Sequence, residues 1–283
     1  MIVDVHTHIG TAEHYGARYF EGEERGGTKD PKKGGLATEP SEHWKTMESV
    51  DKVIVVGFRT ELLGCNVPND YVTDYVRQHP DKLIGFMSVD ATQEGVMEEL
   101  ERCYYDLGLK GIKLSPIYQG FHPQDERVLP IYEKAEKLDL PILLHQAACY
   151  NRQAPLKYAN PIYFDDIAMK YPDLTLIFAH LGYPWIKETM HVVRKHPHLY
   201  TDISFICLHP QTFYNALAYY EEWGLLDLIL FGSDFPAAAT PKDTMERLRK
   251  VNEVVAGTNL PRIPSEEIEG IIHRDSLRLL RLK

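Results

Sequence analysis

The sequence predicts an α/β fold in which eight parallel strands close into a TIM-type (β/α)8 barrel, and two observations carry that prediction. Eight short apolar runs rich in β-branched residues recur along the chain, at residues 2–5, 53–56, 84–89, 111–114, 142–144, 174–179, 199–203 and 228–231. Stretches of helical period lie between them. Continuous apolar runs of this length suit strands buried on both faces, because neither side meets water. Strands that alternate with helices imply a parallel sheet joined by right-handed crossovers. Eight such units suit a closed barrel better than a doubly wound sheet, although spacing alone leaves the latter open. The 283 residues are read as one domain, barrels of about 250 residues being common.

Taken in order, the helical patterns cover residues 70–78, 92–107, 128–138, 164–171, 185–195 and 211–223, each before the next apolar run, with 242–255 and 265–280 after the eighth. Two connections are punctuated alike. In QHPDKLIGF and KYPDLTLIF a Pro-Asp pair precedes the strand, where Pro stops the helix and Asp makes the turn. The first connection, residues 10–44, is the exception. It contains EGEERGGTKDPKKGG, rich in Gly and charge and without a period. A loop this long is usually functional or unstructured. It is read as a mobile cover over the barrel mouth or as a solvated insertion, and ligand-dependent hydrogen exchange separates the two.

Composition narrows the function. The chain is 44% hydrophobic and 25% charged, with a formal net charge of -10. The acidic balance argues against nucleic acid, whose phosphates need a basic surface. A small anionic substrate stays open, because a few local cations set the potential of a pocket. No signal peptide and no membrane span are expected. Cys65, Cys103, Cys149 and Cys207 form no Cys-x-x-Cys pair, so reduced cytoplasmic thiols are expected rather than disulfides or structural zinc. A homodimer stays open as the assembly.

The residues that carry chemistry begin with Asp4-Val5-His6-Thr7-His8. Strict alternation along a strand would point Asp4, His6 and His8 one way, with Val3 and Val5 the other. Two imidazoles so spaced can reach one ion together. Alone the pair is a modest signal, because histidines at this spacing also occur on exposed strand ends. Three more ionisable groups end buried runs: His145 in LPILLH, His180 in LTLIFAH and Asp234 in LILFGSD. Barrel active sites lie at the C-terminal strand ends, which converge on one mouth. His and carboxylate donors suit zinc or a similar divalent ion.

The pieces DVHTHIG, GIKLSP, PILLHQ, IFAHLG and LFGSDFP, in that order and across nearly the whole chain, resemble the amidohydrolase superfamily. Within it the likeness is to the amidohydrolase-related branch that includes aminocarboxymuconate-semialdehyde decarboxylase. That resemblance implies one metal held by His6, His8, His145 and Asp234, with His180 contacting the substrate or the metal-bound water. Zinc is expected, with manganese or iron(II) as alternatives.

A divalent ion held by three neutral histidines and one carboxylate stays positive. It can lower the pKa of bound water from ~15.7 to about 7, or polarise a substrate oxygen. Asp234 is placed both to ligate and to act as general base; pure ligation is its simpler role. Lys113, in KGIKLSP, has three readings: a free ammonium that binds a substrate anion, a carboxylated lysine bridging two ions, or a structural ion pair. The first is preferred. Arg59, in VVGFRT, is a candidate clamp for a substrate carboxylate, or a surface cation paired with Glu61. Tyr118, His122, Gln146, Tyr183, Trp185 and Phe235 follow strand ends and are expected to line the pocket without chemistry of their own.

The expected function is hydrolysis of an ester, lactone or amide carbonyl of a small, carboxylated substrate by metal-activated water. Non-oxidative decarboxylation, implied by the same resemblance, is the alternative. A barrel that binds metal without catalysis is the reading from another class.

Overall fold

The computed structural model describes residues 1–21 and 37–282. Among the described residues there are ten strands: β1 Val3–His8, β2 Lys52–Val56, β3 Arg59–Thr60, β4 Cys65–Asn66, β5 Leu83–Ser88, β6 Ile112–Leu114, β7 Ile142–Leu144, β8 Leu176–Phe178, β9 Leu199–Asp202 and β10 Ile229–Leu230. Eight of them form a parallel sheet in the order β1-β2-β5-β6-β7-β8-β9-β10, while β3 and β4 make a small antiparallel hairpin. The sheet curls until its ends meet. Val5 N–H donates to Phe231 O at 3.0 Å, Asp234 N–H to His6 O at 2.8 Å and His8 N–H to Phe235 O at 2.7 Å. The eight expected strands are therefore the eight staves of a barrel.

The barrel strands between them divide their side chains between two apolar layers. Val3, Val5, Ile54, Val56, Phe86, Leu143, Ile177, Tyr200 and Leu230 pack inside the barrel, with Leu280 from the C-terminal tail joining them. Val53, Val55, Ile112, Leu114, Ile142, Leu144, Leu176, Phe178 and Ile229 face the helical shell. Fully burying one such side chain is worth about 1.5–3 kcal/mol, so both faces stabilise the strands. The interior tolerates little change in volume. A Cβ added at Gly111 would fall 2.5–2.6 Å from the ring of Phe86.

The shell helices are α1 Pro40–Thr46, α2 Asn69–Val76, α3 Val96–Arg102, α4 Pro116–Gln119, α5 Leu129–Lys137, α6 Tyr163–Lys170, α7 Ile186–Lys195, α8 Pro210–Glu222, α9 Pro241–Arg249, α10 Ser265–Ile272 and α11 Ser276–Leu279. Helix α8 buries Phe213, Tyr214, Ala216, Leu217 and Tyr220, the three- and four-residue spacing of one helical face. Thr240 caps α9 by accepting the Asp243 N–H at 3.1 Å, and Pro241 occupies the first turn, where no donor is needed. Among the described residues no helix is long and apolar enough to cross a membrane.

Four expectations change. The segment 10–44 is not all loop, since Ala12–His14 and Ala17–Phe20 form 3-10 turns and α1 begins at Pro40. Most of the Gly- and charge-rich stretch, and with it the cover reading, lies outside the described residues. The pattern at 92–107 starts as a helix at Val96 and finishes in a π turn at Cys103–Leu107. The last helical pattern breaks in two where the Asp275 side chain accepts the Arg278 N–H at 3.2 Å and starts a new turn.

The fourth change concerns β1. Its register against β2 slips between Asp4 and Thr7, where three steps on β1 match two from Val53 to Val55. This β-bulge cancels strict alternation. Val5 packs in the interior cluster, and the next side chain, His6, also points to the barrel's axis, so Val3 and Val5 do not face away from the histidines. Thr7 instead faces outward. His43 Nε2 lies 2.9 Å from Thr7 Oγ1, which donates to Ile54 O at 2.8 Å, and Tyr75 Oη lies 2.8 Å from His43 Nδ1. Because the threonine proton is already used, His43 Nε2 donates and His43 Nδ1 accepts from Tyr75. Burial holds the His43 pKa down at about 3, which keeps that imidazole neutral.

Candidate metal centre

The bulged end of β1 brings His6 and His8 together with their Nε2 atoms 3.2 Å apart. Asp234, just past β10, adds Oδ1 at 3.4 Å from His6 Nε2 and 3.3 Å from His8 Nε2. Lys113, at the centre of β6, is 1% exposed and aims Nζ at His6 Nε2 from 2.9 Å. His180 follows β8, and its Nε2 lies 3.3 Å from Nδ1 of His145, which follows β7. Three of the four expected ligands thus converge. The fourth, His145, stands one imidazole away, and its Nε2 is buried without a hydrogen-bond partner among the described residues.

The backbone is bent to achieve this. His180 has φ 63° and Asp234 φ 55°, in the left-handed region that a side chain makes costly, about 1–3 kcal/mol each. Hydrogen bonds hold both bends: His180 N–H donates to Asp202 Oδ1 at 3.0 Å and Asp234 N–H to His6 O at 2.8 Å. Below them Asp4 Oδ1 accepts the N–H groups of His6 at 3.2 Å and Ser233 at 3.0 Å. Burial raises the Asp4 carboxyl to about 7 against the pull of those hydrogen bonds.

Burial dominates the electrostatics. It lowers His6 to about 4, with the Lys113 cation pushing the same way and Asp234 and Asp202 opposing. His8 and His145 are lowered well below the ordinary imidazole value by burial first, with Lys113 and His180 adding to it. The imidazoles are therefore neutral near pH 7, the form that offers a lone pair to a metal. Lys113 is pushed down to about 8 by burial, against the attraction of Asp234 and Asp202.

Asp202 and Ser204 were not among the expected residues. Asp202 ends β9, and its Oδ2 lies 3.1 Å from His6 Nδ1. Burial pushes its carboxyl up, but His6, His180 and Ser204 together hold it well below the usual carboxylate range. The available signal was a carboxylate at the end of the seventh apolar run, the place where the other strand-end groups were found.

Arg59 sits in β3 with its guanidinium 4.0 Å from Glu99, in a crevice also lined by Asp90, Gln93 and Glu94. Its acidic neighbour is Glu99, not Glu61, whose Oε2 accepts from Gln93 at 2.8 Å. Among the expected lining residues, Tyr118 packs against His145 with ring centroids 4.7 Å apart. Gln146 turns its amide to Ala159 O, and His122 packs between Tyr158 and Tyr163.

The donor set fits a divalent ion. His6, His8 and Asp234 each offer one ligand atom, and these atoms lie within 4.8 Å of one another. Two neutral imidazole nitrogens and a carboxylate oxygen are what zinc, manganese and iron(II) accept. Nε2 of His145, buried and without a hydrogen-bond partner among the described residues, is a further nitrogen that an ion could engage.

A parallel eight-stranded barrel that gathers these groups at the C-terminal ends of its strands belongs to the class of TIM-barrel proteins with a metal-type donor set. The family model described as amidohydrolase matches residues 3–282, and the chain belongs to that family. It is 27% identical to a 2-amino-3-carboxymuconate-6-semialdehyde decarboxylase of Dictyostelium discoideum over 130 residues, 40% of this chain and 36% of that protein. It is 29% identical to a 2-keto-4-carboxy-3-hexenedioate hydratase of Sphingobium sp. over 204 residues, 60% of this chain and 58% of that protein. The matched parts thus span less than two thirds of either relative. A dihydroxybenzoic acid decarboxylase from Polaromonas sp., solved with bound manganese and the inhibitor 2-nitroresorcinol, shares the fold. The two superpose with a TM-score of 0.67 at 17% identity, over 99% of this chain and 96% of that one.

Proposed function

We propose that this chain is a metal-dependent hydrolase that acts on an ester, lactone or amide carbonyl of a small carboxylated substrate. His6, His8, His145 and Asp234 would hold one divalent ion, zinc first, with manganese or iron(II) satisfied by the same donors. The observation that carries the reading is Asp234 Oδ1, set 3.4 Å and 3.3 Å from two neutral imidazole nitrogens at the barrel mouth. When bound, the ion supplies Lewis acidity that activates water and polarises a substrate oxygen.

The remaining work falls to side chains. Asp234 takes a proton at a carboxylate oxygen, the general-base role. His180 offers Nε2 as a second proton-handling atom beside the cluster. Lys113 Nζ binds the substrate carboxylate, an ammonium in a dry site being worth more there than in water. The apolar walls of the barrel exclude bulk solvent beneath it.

A second reading, non-oxidative decarboxylation, is favoured by Lys113 itself. Its Nζ contacts His6 Nε2, and no carboxylate lies within ion-pair distance among the described residues. The cation is thus available to a carboxylate that leaves as carbon dioxide. One relative is named a decarboxylase and the other a hydratase, and both names support a carboxylated substrate.

Chelator-stripped and zinc- or manganese-reloaded protein, assayed on panels of carboxylated lactones, esters and amides and of unsaturated or aromatic carboxylic acids, tests both readings. Metal-dependent acid release is expected on the first panel. Carbon dioxide release confined to the second panel would replace hydrolysis by decarboxylation. No turnover on either panel, with a melting temperature that falls on stripping, would leave a barrel that holds metal only for stability.

A further inference from the structure

We propose that Asp202, through Ser204, is the positioning residue that fixes which nitrogen carries the proton on His6, His180 and His145. The inference rests on His6 being a metal ligand, as proposed above, and it follows from counting donors and acceptors. Asp202 Oδ1 accepts the N–H of His180 at 3.0 Å and that of Ser204 at 2.9 Å, as well as the Ser204 hydroxyl. Those donors fill one oxygen. The other, Oδ2, faces His6 Nδ1 at 3.1 Å. A carboxylate only accepts, so His6 Nδ1 carries hydrogen and His6 Nε2 keeps its lone pair, which accepts from Lys113 Nζ at 2.9 Å in the metal-free chain.

Ser204 extends the order to a second imidazole. Its hydroxyl proton is used on Asp202, so its oxygen accepts from His180 Nδ1 at 2.8 Å. The Ser204 carbonyl, 3.2 Å from the same nitrogen, can only accept as well. His180 Nδ1 is therefore protonated, and in the neutral form of the ring His180 Nε2 is not. His145 Nδ1, 3.3 Å from that bare nitrogen, must donate to it. The proton on His145 Nδ1 leaves His145 Nε2 as a lone pair, and this is the nitrogen buried without a partner among the described residues. One carboxylate on β9 thus aims nitrogens of histidines from three other strands. Carboxylates that orient metal-binding imidazoles in this way are a general device. A direct ligand role is the competing account, since His6, His180 and Asp202 also form a group of donor atoms within 4.8 Å.

Asp202→Asn separates the accounts. The three donors on Oδ1 would claim the amide oxygen and turn its NH2 toward His6 Nδ1, which disfavours a proton there against the weaker pull of the Ser204 hydroxyl oxygen 3.2 Å away. Metal affinity by zinc-chelator competition should then fall roughly 10- to 100-fold, with the ion-to-chain ratio at saturation unchanged. Unchanged affinity, or the loss of one ion per chain, would overturn the proposal. Imidazole nitrogen NMR of the metal-free wild-type protein needs no variant to fold. Nδ1–H signals for His6 and His180 are expected, and an Nε2–H signal on either would refute the inference by itself. A wild-type protein that takes up no zinc would defeat the metal-site reading while leaving the NMR result to decide this one.

Discussion

Replacing Lys113 by methionine should stabilise the metal-free protein while weakening its hold on a carboxylated substrate. Lys113 is 1% exposed, and among the described residues its one close polar partner is an imidazole nitrogen, His6 Nε2 at 2.9 Å. Burial takes its pKa from 10.5 to about 8. At about 1.4 kcal/mol per pKa unit, keeping the ammonium charged in the folded state costs about 3 kcal/mol. Methionine keeps an unbranched stem and discards the charge, but it also discards a hydrogen bond worth about 1 kcal/mol. The net gain is about 1–3 kcal/mol near pH 7.

The sign follows from proton linkage. The folded chain releases the lysine proton near pH 8 and the unfolded chain near 10.5, so between those values the unfolded state binds more protons. Wild-type stability from this group rises with pH across that window. The advantage of Lys113→Met is full below about pH 8 and fades toward pH 10.5. Urea unfolding of the chelated proteins at neutral and alkaline pH measures it. In turnover assays the lost charge-assisted contact, about 1.5–3 kcal/mol, should raise KM by about 10- to 150-fold. A variant that is less stable near neutral pH and no longer binds metal would refute the reasoning. That result belongs to a carboxylated Lys113 acting as a ligand.

Asp234→Asn should keep an ion and lose about 10²–10⁴ in kcat; metal and activity both retained would reduce Asp234 to a ligand. Arg59→Ala should leave kcat/KM unchanged, because the guanidinium lies beside Glu99 and not at the histidine cluster. A large rise in KM would show that Arg59 swings to the mouth. Gly111→Ala should cost about 1–3 kcal/mol in denaturant unfolding through overpacking, since its Cβ would meet the Phe86 ring at 2.5–2.6 Å. A neutral result would mean that the barrel interior yields more readily than its packing implies.

What the sequence made legible is what burial and symmetry repeat. The eight staves were visible because most of their residues are apolar on both faces, and His6, His8, His145, His180 and Asp234 because each follows such a run. The bulge in β1 was hidden, since one extra residue changes no side chain's character, yet it decides that Val5 and His6 share the interior. Asp202 closes a run whose other residues read as core, and nothing in its neighbours says that it caps His180, Ser204 and His6. The Arg59 partner lay on α3, 40 positions along the chain, where local pairing with Glu61 was the nearer choice. Helix α1, seven residues long, is too short to display a period, although it buries His43 against Thr7.

The seam of the barrel has a consequence for how the protein is made. His6 and His8 are on the first strand and Asp234 follows the last, so the candidate donors meet only where those strands zip together. Contacts between residues so distant in sequence form late and slowly. A ribosome-bound chain would present the two histidines long before their aspartate existed, and could offer an ion only a partial grip. If the donors hold an ion as proposed, tight retention would mark a finished molecule, and loading should track completion of the barrel rather than collapse of its first half.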